Sequence, residues 1–281
     1  MRFLMSSMSE NREKQRKNTT NLIDFIQKKC IFFSIKKTFK EVTMFNPFKS
    51  LIRKIKHKKG KLYDHIASIG YNCEPGYKIV QYFGFEESSL FNWTLTYYNK
   101  NLVDAINNIE KLGTQGFNGP LPFWNCKFSG LYFHTRREPE DLAKDPELAA
   151  LDEKELGEKV QYLAQKFLRI LRSDDSKLFI RKMQAADLGE NVNEKIEAIR
   201  QALIAQGGKN FDILVVSEEK DSHFFKNPEN YIYRSVKFYT PDHDVTDPKS
   251  KHNGWDEIFD EFYVKKPKNL KKKSYKYERK H

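Results

Sequence analysis

The residues best placed to do chemistry form a short run, Ser68-Ile69-Gly70-Tyr71-Asn72-Cys73-Glu74-Pro75. Tyr63–Gly70 reads as a buried strand that ends in a glycine turn. Asn72, Glu74 and Pro75 then supply helix-start chemistry: a capping side chain, an acid in the first turn, and a proline where a missing N–H does no harm. Cys73 therefore falls at or near the first position of a helix. Helix N-terminal amides and the helix dipole stabilise a thiolate, the nucleophilic form of cysteine. The same amides, between Gly70 and Cys73, can hold an oxyanion. The competing expectation is an inert thiol, because free cysteine is among the most buried residue types.

A nucleophilic thiol needs an imidazole to take its proton and a third group to fix the imidazole tautomer. Two histidines qualify. His134 closes the aromatic run Tyr132-Phe133-His134, and His252 follows Asp247 just ahead of the last helical segment. Asn92 is available to orient the histidine or the substrate, and Trp93 beside it to contact substrate. Arg136 and Arg137 can grip a carboxylate or phosphate, unless Glu138, Glu140 and Asp141 pair with them. Asp242, His243 and Asp244 are possible divalent-metal ligands, but their spacing fixes no complete site. No Gly-x-Gly-x-x-Gly follows the first strand, and there is no Walker loop or Cys-x-x-Cys. Neither cofactor nor metal is expected.

The elements needed to position these residues follow from periodicity. A helix runs from the Cys73 turn to Phe83 and stops at Gly84. A second covers Leu102–Lys111, closed by Gly113. Residues 114–134 read as loop and strand, rich in Gly, Pro and aromatics. Leu142–Leu171 is a long helical stretch interrupted near Pro146. Lys177–Arg181 and Phe211–Val216 are buried strands, with the helix Val192–Ala205 between them. Tyr231–Tyr239 is a further strand, and Trp255–Phe262 a final helix. This order predicts an α/β fold, a three-layer Rossmann-like sandwich with a mainly parallel central sheet. In such sheets ligands bind at the carboxyl edge, where the Cys73 turn lies.

Ser68-Ile69-Gly70-Tyr71-Asn72-Cys73, followed by Leu90-Phe91-Asn92-Trp93, Tyr132-Phe133-His134 and Leu178-Phe179-Ile180-Arg181, resembles a bacterial family described as papain-like cysteine peptidases. Its hallmark is a Ser-Leu-Gly-x-x-Cys turn, with a Pro-Phe-Asp-Trp segment about twenty residues on. The resemblance spans roughly 62–260, and Asn92 stands where the family has Asp. It implies Cys73 as nucleophile, His134 as its base, Asn92 as an orienting group, and an association with surface-polysaccharide synthesis. The Asp247…His252 block is also similar to the final block of Ser-Gly-Asn-His hydrolases and acyltransferases. That likeness implies His252 as the base and Asp247 as its orienter. Both departures from the second family, the wider Asp–His spacing and Gly70-Tyr71-Asn72 in place of Gly-Asp, lie in its motifs.

Charge divides the chain of 281 residues. Of 50 basic and 38 acidic side chains, 17 and 4 fall in residues 1–61 and 9 and 1 in residues 265–281. The remaining 24 and 33 give residues 62–264 a net charge of −9. A domain that reads nucleic acid carries its basic patch on itself, so nucleic acid is disfavoured as a partner. The predicted organisation is a basic extension (1–61), one α/β domain (62–264) and a basic tail (265–281). Within 44–59, Phe48, Leu51, Ile52 and Ile55 share one helical face opposite Lys and Arg, the pattern of a segment lying on an anionic membrane surface. Met44 is a candidate natural start, with 1–43 as a translated leader. The three cysteines do not make a disulfide framework, no apolar run reaches about 18 residues, and Cys30–Ile35 is too short for a signal-peptide core. These features predict a cytoplasmic protein, peripheral on the inner face of the membrane. It would act on a small-molecule, glycan or acyl substrate, or serve as a non-catalytic glycan- or protein-binding accessory.

Overall fold

A computed structural model describes residues 61–85, 88–119, 123–226, 228, 230–239 and 253–266. All of them belong to one compact unit, Asn46–His281. The amphipathic stretch 44–59 and the tail beyond residue 266 lie outside the described residues.

The elements run β1 (Leu62–Tyr63), β2 (His65–Ser68), α1 (Glu74–Phe83), β3 (Thr94–Leu95), α2 (Asn99–Asn107), β4 (Phe117–Asn118), β5 (Phe123–Cys126) and β6 (Tyr132–His134). They continue with α3 (Pro139–Lys144), α4 (Pro146–Arg172), β7 (Lys177–Lys182), α5 (Val192–Ala205), β8 (Phe211–Glu218), β9 (Ile232–Val236), α6 (Trp255–Phe259) and β10 (Tyr263–Val264). Four strands form a parallel sheet in the order β2-β7-β8-β9. All six residues of β7 are buried, as expected for a parallel strand covered on both faces. On one face Phe179, Ile213 and Val215 pack with Ile106 of α2, Phe167 of α4 and Ile199 of α5. On the other, Leu178, Ile180, Leu214 and Val216 meet Ile79 and Tyr82 of α1 and Trp255 and Phe259 of α6. The period-2 alternation along β7 thus divides its side chains between two cores. The chain is a mixed α/β protein with a parallel sheet.

A second sheet departs from the expected mainly parallel architecture. β3, β6, β5 and β4 pair antiparallel in that order. Its strands are two to four residues long, too short to display the alternation that reveals a strand in sequence. Phe117, Trp124 and Phe133 join this sheet to the core shared with α2 and α4.

Helix boundaries follow local chemistry. The Asp145 carboxylate accepts from the N–H groups of Glu147 and Leu148, each at 3.0 Å, and so caps α4 one residue before Pro146. The stretch expected over 142–171 is therefore two helices, α3 and α4. α1 ends at Gly84, in the left-handed conformation (φ 73°), with its N–H bonded to the Val80 carbonyl. The helix expected over 102–111 is α2 followed by a 3₁₀ turn at Ile109–Lys111, and the last helix ends at Phe259. Among the described residues, no helix is long and apolar enough to cross a membrane.

Candidate active site at Cys73 and His134

β2 delivers the chain to the carboxyl edge of the parallel sheet, and the loop after it is fixed at successive residues. The Ser68 N–H donates to Asn92 Oδ1 (3.0 Å) and the Gly70 N–H to Ser68 Oγ (3.1 Å). The Ile69 carbonyl accepts from Arg181 Nη1 (3.3 Å), the Gly70 carbonyl from the Lys182 N–H (3.2 Å) and the Tyr71 carbonyl from the Thr96 N–H (2.8 Å). Cys73 sits at the N-cap of α1 and is 5% exposed. Asn72 Oδ1 accepts from the Glu74 N–H at 3.2 Å, so the side chain before the thiol does the capping.

His134 ends β6. Its Nε2 lies 3.5 Å from Cys73 Sγ, joining residues 61 apart in the chain. That is hydrogen-bond distance for sulfur, and proton transfer between the two needs no rearrangement. The imidazole packs edge-on against Phe123, with ring centroids 4.7 Å apart.

One face of α4 holds the chain around this histidine, through two residues spaced three apart. Asp152 accepts from Trp124 Nε1 (2.7 Å) and Arg137 Nη1 (2.9 Å), and Glu155 accepts from Arg136 and Arg137 (both 2.9 Å). Surrounding protein and, second, the charge of Lys159 pull the His134 pKa below its ordinary 6.5. His134 is nonetheless exposed as a residue, and water reaching it moderates the shift. The direction favours a neutral ring at pH 7, the form that accepts a thiol proton.

Several expected roles take a different shape. Asn92 does not bond to His134: its Oδ1 braces Ser68 at the end of β2. Arg136 and Arg137 are paired, with Asp152 and Glu155 rather than with the neighbouring acids at 138–141 as their carboxylate partners. Guanidinium groups held this way brace the His134 loop. Of the amides expected between Gly70 and Cys73 to hold an oxyanion, that of Gly70 is engaged by Ser68 Oγ, and the next amide after Cys73, that of Glu74, is engaged by Asn72 Oδ1. Trp93 is half-buried and packs edge-on to Tyr77, centroids 4.8 Å apart, one turn along α1 from Cys73. Asp247 and His252 lie outside the described residues, as do Asp242, His243 and Asp244. Among the described residues, no group of three or more His, Cys, Asp or Glu is arranged to hold a metal ion.

A charged pair that no motif in the sequence marks stands behind the nucleophile. Lys182, the last residue of β7, pairs with Glu74, the first of α1, and Lys182 Nζ also reaches Asn72 Oδ1 at 3.3 Å. Arg181, fully buried beside it, donates through Nε to Asn99 Oδ1 (2.8 Å) and through Nη1 to Thr96 Oγ1 (2.6 Å). The available signal is the pair of cations that follows Leu178-Phe179-Ile180 at the carboxyl end of a buried strand, where ligand sites form. No family model matches the chain, and no curated protein or solved structure matches it either.

Proposed function

We propose that this chain is a cysteine-dependent hydrolase or transferase acting on acyl or glycan-linked substrates. Cys73 is the nucleophile and His134 its base. The observation that carries this reading is the 3.5 Å contact between Cys73 Sγ and His134 Nε2. In the step it supports, His134 Nε2 takes the thiol proton as sulfur attacks an electrophilic carbon, and returns a proton to the leaving group. The resemblance to papain-like cysteine peptidases agrees with these roles. Helices on both faces of the parallel sheet support a three-layer, Rossmann-like arrangement. The basic, amphipathic stretch 44–59 supports a peripheral position on an anionic membrane surface.

The test is iodoacetamide alkylation of the full chain across pH, with mass mapping of the Cys73 adduct to separate it from Cys30 and Cys126. An activated Cys73 reacts with a midpoint well below about 8.5, the free-thiol value, and H134A slows the reaction. A free-thiol profile, or no adduct, sinks the catalytic reading.

The second reading is a non-catalytic binding protein of the same fold. It is favoured by the absence, among the described residues, of a hydrogen-bonded partner orienting His134, and by the prior engagement of the Gly70 and Glu74 amides.

A further inference from the structure

Glu74 and Lys182 pair in a salt bridge taken almost wholly out of water, with 0% and 2% of their side-chain surface exposed. Their placement is specific. Lys182 Nζ contacts both residues that flank the thiol, Asn72 through Oδ1 and Glu74 through Oε2. The ammonium also stands over the rings of Tyr239 (4.0 Å) and Tyr71 (5.3 Å). The second oxygen of Glu74, Oε1, accepts from Trp255 Nε1 (3.1 Å) and Asn253 Nδ2 (3.4 Å). One pair therefore joins the nucleophile turn, the end of β7 and the start of α6.

Desolvating two charges offsets most of what their attraction returns, so a buried pair is a poor source of stability. Its consequence for residue 73 is larger. A lone carboxylate one residue away disfavours a thiolate, and a lone ammonium favours it. We infer that Glu74 and Lys182 are positioning residues for Cys73: the pair fixes residues 72 and 74, and Lys182 cancels the carboxylate that would oppose a thiolate between them. This rests on Cys73 being the nucleophile proposed above. Among the described residues, the other charged or titratable groups near the pair and the thiol include Lys78 on α1, Arg181 on β7, Asp256 on α6, Glu218 at the end of β8, Tyr71, Tyr239 and His134. All of them remain in the variants that follow.

The experiment compares the pH midpoint of Cys73 alkylation in the full-length wild type, K182M, E74Q and K182R, with thermal melts to establish folding. K182M removes the ammonium from beside the Glu74 carboxylate and moves the midpoint up. E74Q strands an ammonium and moves it down. Each shift is on the order of 1 pH unit, and K182R restores the wild-type profile. A packing role predicts two destabilised variants with midpoints that do not diverge. Should the single variants fail to fold, the charge-swapped E74K/K182E keeps a neutral pair and places its positive end beside Cys73, so its midpoint falls. Single variants that fold with unmoved or same-direction midpoints overturn the inference, as does a folded swap with no downward shift. A wild-type midpoint near 8.5 would instead defeat the nucleophile reading itself.

Discussion

A thiol beside an imidazole loses its proton to that ring only when the ring is neutral. His134 meets the condition through its surroundings: packed protein disfavours its charged form, and Lys159 adds like-charge repulsion. Reactivity that depends on neutral His134 therefore persists below pH 6.5 before its acid limb is reached. K159M removes the repulsion, so the limb moves to higher pH while the alkaline side stays in place; a pH–rate profile of Cys73 alkylation checks this. The linked stability effect has a definite sign. The folded pKa lies below the unfolded value of about 6.5, so below that pH the unfolded chain binds more protons. The His134 contribution is thus complete above pH 6.5 and is lost as pH falls through the folded pKa.

At the scale of elements, the nucleophile turn is held from two directions. The ends of β2 and β7 grip it from the parallel sheet, and Thr96 and Asn92 grip it from the chain on either side of β3. Gly70 is where this crowding tells. Its φ is +88°, and an added Cβ would lie 2.2 Å from Thr96 Oγ1 and 2.9 Å from Arg181 Nη1. G70A combines left-handed strain with overpacking against a buried arginine, and is expected to destabilise the domain by roughly 2–5 kcal/mol. Equilibrium urea unfolding measures that loss. A change under about 1 kcal/mol would mean the turn relaxes freely and the clamp is weak. Gly70 was readable from sequence as a turn glycine, but its crowding was not, because Thr96 and Arg181 are 26 and 111 positions away.

For the whole molecule, charge distribution is the governing feature. The net +12 arises from the two ends, around a domain of net −9. Attraction to anionic surfaces should therefore belong to the ends. Deleting residues 1–61, which removes the amphipathic stretch and the larger share of the positive charge, is expected to weaken co-sedimentation with phosphatidylglycerol-containing vesicles sharply, and raising salt to weaken binding of the full chain. Unchanged binding by the truncated protein would show the anchor assignment to be wrong. The acidic domain alone should bind DNA no better at low salt than at high salt, opposite to a phosphate-reading protein.

Sequence alone determined what depends on near neighbours. The Cys73 turn, the cap and proline at the start of α1, the glycine at its end, the buried strands β7 and β8 and the separation of charge all come from residues within a few positions of one another. Only the tertiary structure brought a histidine to the thiol. His134 lies 61 positions from Cys73 in the chain, and it is the pairing of β6 with β3 and β5 that carries it to 3.5 Å from the sulfur. The same holds for the short antiparallel sheet, for Asn92 as a brace of β2, and for the Glu74–Lys182 pair across 108 positions. Such contacts follow from strand register and helix packing, which one local pattern of residue types does not specify.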